Sequence, residues 1–166
     1  APDVRVELVG GDTKIGTATS YARQLLSHAD RLGVELRLHG PVPQAGLPEV
    51  LASSRLVALP STFDSFNMAG LEAMAGGRAV VITDRVGLGE LDDGSGALPI
   101  VPSGSPDRLA DALAPLLRDD QRAAVAGQHQ GLAAAIGFLD LERRLQSVLG
   151  DAEGVGHTRI STPPRA

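Results

Sequence analysis

The sequence has no cysteine and very few aromatic residues. The first absence excludes disulfide bonds and thiolate metal sites. With aromatic residues at 2% and hydrophobic residues at 43%, a core must be built from alanine, valine, leucine and isoleucine. No apolar run approaches the roughly 18–20 residues that a bilayer-spanning helix needs. We therefore expect a globular domain of the cytoplasm.

Positive charge is also scarce, because Lys14 is the only lysine, the arginines are scattered and the net charge is −5. Nucleic-acid-binding surfaces need clustered lysine and arginine, so we expect no nucleic-acid partner. His28, His129 and His157 lack partners at ligand spacing, so we expect no metal site. The positive charges that bind an anionic ligand would therefore come from a few individual side chains or from another polypeptide segment.

Short apolar runs alternate with segments of helical periodicity. The apolar runs predict strands at residues 4–9, 34–38, 56–59, 79–82 and 98–101. Helical spacing and stop signals predict helices at residues 20–32, 47–53, 68–76, 107–117, 119–136 and 138–149. Residues 151–166 lack periodicity, which predicts a disordered tail.

Strands that alternate with helices predict an α/β fold with a parallel sheet, since parallel strands need crossover connections. Right-handed crossovers then give a doubly wound, Rossmann-like domain over residues 1–150. Ligands of such folds bind at the carboxyl ends of the strands. We therefore expect the site among the loops at residues 10–12, 40–42, 60–67 and 83–90.

The segment from residue 60 to residue 75 combines the features of a ligand site. Asp64 lies in a polar loop after a strand, and Glu72 lies one turn inside the following helix. The first amides of that helix, which we place at Phe66, Asn67 and Met68, lack intrahelical acceptors and could hold a diphosphate. Two carboxylates beside such a site suit the hydroxyls of a nucleotide sugar. The alternative is that Asp64 only caps the helix and Glu72 only complements its dipole.

Five segments, in order along residues 4–117, resemble the retaining glycosyltransferases of the GT-B fold (glycosyl transferases group 1). The most specific follows the family pattern of Pro-Ser, two residues, Glu, seven residues and Glu-Ala-Met-Ala. Here it reads Pro60-Ser61, then Asp64, then Glu72-Ala73-Met74-Ala75. The other four lie at residues 8–12, 36–40, 77–81 and 87–96. The resemblance implies the C-terminal, donor-binding half of that fold, without the first strand of the domain.

By the same resemblance, the implied reaction is transfer of a sugar from a UDP- or GDP-linked donor to a hydroxyl acceptor, with retention at the anomeric carbon and without a metal or other cofactor. Asp64 would contact the transferred sugar and Glu72 the ribose, as the carboxylates of the catalytic site. The implied donor-binding residues are Gly10, Gly11, Pro41, Val42, Asp64, Phe66, Asn67, Met68, Leu71 and Glu72.

Two residues depart from the family pattern, because Asp64 stands where Glu is usual and Asn67 stands where Gly is common. The family's diphosphate-binding Arg and Lys, and its acceptor-binding N-terminal domain, would precede residue 1. We therefore expect the chain alone to bind a donor weakly or not at all and to be inactive. Peripheral membrane contact would come only through the missing half. The helix at residues 138–149 could drive self-association through an exposed apolar face.

Two other functions stay open. One is a degenerate, non-catalytic binding or regulatory module of the same fold, which Asp64 and the missing cations favour. The other is a nucleotide-sugar epimerase-like domain, which the loop at residues 66–68 and the Ala73-Met74-Ala75 helix disfavour.

Overall fold

The computed structural model describes residues 4–12, 14–15, 19–92 and 94–152, and it describes side chains at residues 4–12, 20–92 and 94–137. The first part of the chain forms β1 (Arg5–Val9), β2 (Lys14–Ile15), β3 (Thr19–Ser20), α1 (Tyr21–Leu32), β4 (Glu35–Gly40) and α2 (Leu47–Ser53). The second part forms β5 (Leu56–Leu59), α3 (Met68–Ala75), β6 (Ala79–Thr83), β7 (Ile100–Val101), α4 (Pro106–Arg118) and α5 (Asp120–Ala152).

The α/β class with parallel strands, predicted from the sequence, is confirmed. β1 pairs with β4 in parallel, and β6 pairs in parallel with β5 on one side and β7 on the other. The two groups form separate ladders, which the sequence does not predict. The short antiparallel pair of β2 and β3 is also unpredicted, because two-residue strands give no periodic signal.

The prediction of two helices at residues 119–136 and 138–149 is wrong. A single helix, α5, runs through Gly137 because the missing side chain there makes room for Leu91, whose Cδ2 would lie 2.5 Å from a Cβ. Residues 151–152 belong to α5, and residues 153–166 of the predicted tail lie outside the described residues. The predicted self-association face at residues 138–149 also falls where side chains are not described.

The core surrounds β6, whose five residues are all buried. One side of the core packs Met74, Val80 and Ile82 against Leu88 and Leu98. The other side is formed by Ala79, Val81, Val101, Leu116 and Ala123. The strands that precede the Asp64 loop and the neighbouring loop are therefore packed against a well-filled hydrophobic core.

The α5 helix approaches this core closely through Gly127 and Gly131. A Cβ on Gly127 would collide with the carbonyl oxygen of Gly77, and one on Gly131 would lie 2.7 Å from the carbonyl oxygen of Met74. The close approach lets the buried amide of Gln130 bond to β6. Its Oε1 accepts from the Val80 N–H at 2.6 Å, and its Nε2 donates to the Val80 carbonyl at 3.1 Å and the Ala97 carbonyl at 2.7 Å. Gln130 thus satisfies the backbone of β6 at a residue that β7 does not pair.

Candidate functional site

The loop that carries Asp64 is supported by the loop that follows β6. The Asp64 N–H donates to the Arg85 carbonyl at 3.0 Å, and the Gly87 N–H donates to the Asp64 carbonyl at 3.0 Å. A Cβ on Gly87 would collide with the carbonyl oxygen of Ser65. Two neighbouring carboxyl-end loops are thereby joined into one frame. The sequence does not predict that the loop after β6 supports the loop of Asp64. The one sequence feature that points to this close contact is the glycine at residue 87.

The carboxylate of Asp64 makes two hydrogen bonds inside this frame. Its Oδ1 accepts from the Phe66 N–H at 3.1 Å, and its Oδ2 accepts from Asn67 Nδ2 at 2.8 Å. This corrects the placement of free amides, because the Phe66 N–H already has an acceptor and α3 begins at Met68. Each oxygen of a carboxylate offers two lone pairs, so one on each oxygen of Asp64 remains for a ligand.

Asn67 is the N-cap of α3 and has a left-handed backbone, with φ of 70° and ψ of 83°. It is the one non-glycine residue with positive φ in the described part of the chain. Its Oδ1 accepts from the Gly70 N–H at 2.9 Å. Glycine at residue 70 avoids a close contact, because a Cβ there would lie 2.6 Å from terminal methyl groups of both Leu59 and Leu88. The start of α3 is therefore held both by its cap and by the core.

Backbone donors and one carboxylate at this end of α3 remain free to meet a ligand. Within the described residues, the amides of Asn67, Met68 and Ala69 have no hydrogen-bond acceptor. Glu72 is half-buried, and its carboxylate has no partner in that same part of the chain. Residues four apart share a helix face, so Glu72 lies on the face of Met68. Leu71 beside it is half-buried against the core.

Exposed side chains are also present in α3 and in the two loops that carry and support Asp64. Phe63 is 80% exposed and Met68 is 58% exposed. Arg85, whose carbonyl holds the Asp64 N–H, carries an exposed guanidinium that reaches Asp84 only at 4.0 Å. Neither Phe63 nor Arg85 was identified from the sequence, since one aromatic and one arginine in polar loops give no pattern. Arg85 adds a cation next to the frame that holds Asp64.

The other predicted donor-binding residues form a second group at the ends of β1 and β4. The Gly10 N–H donates to the Gly40 carbonyl at 2.9 Å, which joins the loop of Gly10 and Gly11 to that of Pro41 and Val42. Gly10 has φ of 143°, and a Cβ on either glycine would meet nothing within 4 Å. These glycines therefore border open space. Across the described residues, no hydrogen bond or ion pair connects this group with the Asp64–Glu72 group.

A cleft of about 600 Å³ lies at the opposite, amino end of β5 and β6. Both of its guanidiniums already bond to neighbouring groups, although the buried Nε of Arg78 has no partner among the described residues. Arg55 donates to the Leu117 carbonyl at 2.5 Å and pairs with Asp120 at 2.9 Å, while Arg78 donates to the Ser54 carbonyl at 3.2 Å. The carboxyl-end loops, with their free amides and free carboxylate, are chemically better suited to a ligand. The described residues hold no cluster of metal-ligating side chains.

Comparison with known proteins bears on this site. The family model described as Glycosyl transferases group 1 matches residues 1–119. The D-inositol 3-phosphate glycosyltransferase of Mycobacterium avium is 36% identical over 141 residues, which cover 82% of this chain and 32% of that protein. The enzyme of the same name from Salinispora tropica is 33% identical over 166 residues, which cover 97% and 34%. The chain thus spans about a third of the length of these relatives.

Solved structures agree with the family match. Anabaena HepE in complex with UDP superposes with a TM-score of 0.77 at 26% identity, covering 91% of this chain and 42% of that one. The HepE complex with UDP-glucose gives a TM-score of 0.75 at 25% identity. Sucrose-phosphate synthase of Thermosynechococcus elongatus shares the fold, with a TM-score of 0.68 at 20% identity over 87% of this chain and 39% of that one. Of the helices described, none has the length and apolarity to cross a membrane. The family resemblance drawn from the sequence is therefore confirmed, and the chain belongs to the glycosyl transferases group 1 family.

Proposed function

We propose that this chain is the donor-binding domain of a retaining glycosyltransferase, which transfers a sugar from a nucleotide-diphosphate sugar to a hydroxyl acceptor. The observation that carries the proposal is the unpartnered Glu72 carboxylate beside the free amides of Met68 and Ala69, in a chain of this family. A carboxylate accepts hydrogen bonds from sugar or ribose hydroxyls, while amides at a helix N-terminus attract an anion.

Each group has a part in binding the donor. The Met68 and Ala69 amides bind the diphosphate and the adjoining sugar oxygens. Glu72 accepts from the ribose hydroxyls, and the remaining lone pairs of Asp64 accept from the transferred sugar. Gly10, Gly11, Pro41 and Val42 form the second wall, where the absence of Cβ atoms at the two glycines admits the diphosphate.

The chemical demand of the reaction is stabilisation of the leaving diphosphate. Negative charge develops on its oxygens as the bond to the anomeric carbon breaks, and preorganised donors lower that barrier. The free amides of α3 act as such donors, and the helix dipole adds to them. Arg85 supplies a nearby positive charge. UDP is the favoured nucleotide because the similar HepE structures are complexes with UDP and UDP-glucose.

The rest of the enzyme would complete both the sheet and the site. One common strand order in doubly wound sheets is 3-2-1-4-5-6. Here β4 and β1 correspond to strands 3 and 2, and β5, β6 and β7 correspond to strands 4, 5 and 6. A central strand from polypeptide that the relatives have beyond the matched region would lie between β1 and β5. That polypeptide would also bring the acceptor site and further cations.

The decisive experiment compares transfer from UDP-glucose by this chain and by the native polypeptide that contains it. We expect the chain alone to be inactive and the native polypeptide to form an α-linked product, seen in the anomeric proton coupling. Glu72→Ala in the native polypeptide should abolish transfer. Glu49→Ala is the matched control, since Glu49 is an exposed acid early in α2 and should be dispensable. Full transfer by the Glu72 variant would refute the site.

A non-catalytic module is the second candidate. It is favoured by the internal use of both carboxylate oxygens of Asp64. In the same experiment it predicts that the native polypeptide binds UDP-glucose but transfers nothing.

A further inference from the structure

The two departures from the family pattern touch each other. Asp64 stands where Glu is usual, and Asn67 stands where Gly is common. The structure joins them directly, because Asn67 Nδ2 donates to Asp64 Oδ2 at 2.8 Å. The contact joins the two departures within one turn, so the two side chains can act as a unit.

The backbone at residue 67 explains why one of the two positions is restricted. Its φ of 70° is readily adopted by glycine and is unfavourable for most other residues. Asparagine is among the few side chains that tolerate this region. The Asn67 side chain also makes two stabilising hydrogen bonds, since Oδ1 accepts from the Gly70 N–H and Nδ2 donates to Asp64 Oδ2. Hydrogen bonds of the Asn67 side chain thereby stabilise the left-handed backbone conformation. A glycine at residue 67 would adopt the same conformation without such bonds.

The length of the Asp64 side chain suits this arrangement. Oδ1 accepts from the N–H two residues ahead, at Phe66, which is the short-range turn that an aspartate can close. The same carboxylate then presents Oδ2 to Asn67. A glutamate at residue 64 is one methylene longer and would push its carboxylate out of this turn, so Asn67 would lose its acceptor.

We propose that Asp64 and Asn67 form one coupled unit in which Asn67 is a positioning residue for the donor-binding amides of Met68 and Ala69. Asp64 contributes to this positioning through Asn67. A pair of glutamate and glycine at the same two positions is the alternative solution, in which glycine makes the turn unaided and the longer carboxylate is free of the loop. Either single substitution, Asp64→Glu or Asn67→Gly, gives a mixed pair in which neither solution is complete. This inference rests on the proposed function of the site.

The test is a double-substitution cycle on this chain with Asp64→Glu, Asn67→Gly and both together. The first measurement needs no ligand and follows the Met68 and Ala69 amide resonances by ¹H–¹⁵N NMR. We expect each single substitution to shift both resonances and the double substitution to return them toward their native positions.

The second measurement is the dissociation constant for UDP-glucose, taken from titration to tens of millimolar. Each single substitution should weaken binding about tenfold, the equivalent of one hydrogen bond to a charged group. The double variant should lie within about threefold of native.

Ser20→Ala is the matched control. Ser20 caps α1 by accepting from the Arg23 N–H at 3.1 Å, so its loss should lower the unfolding temperature but leave the UDP-glucose dissociation constant and the Met68 resonance unchanged. Additive effects of the Asp64 and Asn67 substitutions, in resonances or in affinity, would overturn the coupling. If the native polypeptide that contains this chain does not bind UDP-glucose, the proposed function fails, while the ligand-free resonances of this chain still decide whether the pair is coupled.

Discussion

The two parts of the chain differ sharply in how well they are packed. In the second part, thirteen hydrophobic residues between Ala73 and Ala134 are buried, and β6 lies wholly inside. In the first part, from β1 to α2, none of the residues with described burial is buried. Val6 and Leu8 of β1 are 42% and 44% exposed although they lie in a parallel ladder. Parallel sheets ordinarily have both faces covered.

The difference shows which part of the domain is well packed and which part has exposed strand faces. The Asp64–Glu72 group stands on the packed part, so the carboxylates and the α3 amides are held by a rigid support. The Gly10–Val42 group stands on the open part. We infer that donor affinity depends on closing the open part, which the additional strand between β1 and β5 would accomplish.

Replacing Gln130 should break the packed part most severely. Gln130→Ala removes hydrogen bonds to the Val80 N–H, the Val80 carbonyl and the Ala97 carbonyl, in a side chain that is buried. Each buried group left without a partner costs about 1–3 kcal/mol, so we expect a loss of about 4 kcal/mol in the free energy of unfolding. Urea denaturation measures it. Gln128→Ala, at an exposed residue of the same helix, should change stability little. Equal losses would contradict the role of Gln130.

Truncating one leucine in each part sharpens the comparison directly. Leu88 is fully buried, so Leu88→Ala should destabilise the chain by about 3 kcal/mol through lost burial and the cavity left behind. Leu8 is already 44% exposed, and Leu8→Ala should cost less than about 1 kcal/mol. The same denaturation curves give both values. In the native polypeptide the Leu8 cost should rise, and an unchanged Leu8 cost there would argue against an additional strand.

A glycine pair gives a smaller contrast. Gly127→Ala places a Cβ against the Gly77 carbonyl, and we expect a loss of about 2 kcal/mol from the forced separation of α5 and the core. Gly11→Ala meets open space and should leave the unfolding temperature unchanged. If Gly127→Ala also left the unfolding temperature unchanged, the close approach of α5 to the core would not be needed for stability.

The smallest effect concerns pH and the open part. The hydrogen bond from His39, with help from Arg5, lowers the pKa of Glu7 below its ordinary value of 4.5. Because the folded-state pKa is the lower one, ionised Glu7 contributes stability above pH 4.5, and that contribution is lost as pH falls through the folded-state pKa. In the Glu7→Gln variant, the unfolding temperature should therefore fall slightly less between about pH 5 and pH 3 than it does in the native chain. A steeper pH dependence in the variant would reverse the sign of this effect.

The sequence predicts most where several local signals agree. The bounds of β5 match the prediction, and α3 differs by one residue, because an apolar run, a polar loop and a closing glycine all mark the same ends. Gly33 ends α1 with φ of 65°, as its position predicts. The division of the sheet into two ladders is not visible in the strand sequences themselves, although the absent first strand that the family resemblance implies would explain it. Gly137 misleads because tertiary contact with Leu91 outweighs its weak helix propensity.

The candidate site shows the same limit. Asp64, Glu72 and the start of α3 follow from the pattern and its spacing. The left-handed Asn67, the loss of the Phe66 amide to Asp64 and the support from Gly87 depend on geometry that spacing does not encode. The two departures at residues 64 and 67 are visible in the sequence, but only the structure shows that they are bonded.

The most direct measurement of the central claim is an NMR titration of this chain with UDP-glucose. We predict weak, millimolar binding, with the largest shifts at the amides of Met68, Ala69 and Glu72 and none at Gly76 or Arg78, which line the cleft at the opposite end of the strands. Shifts confined to that cleft, or an absence of any response at tens of millimolar ligand, would contradict it.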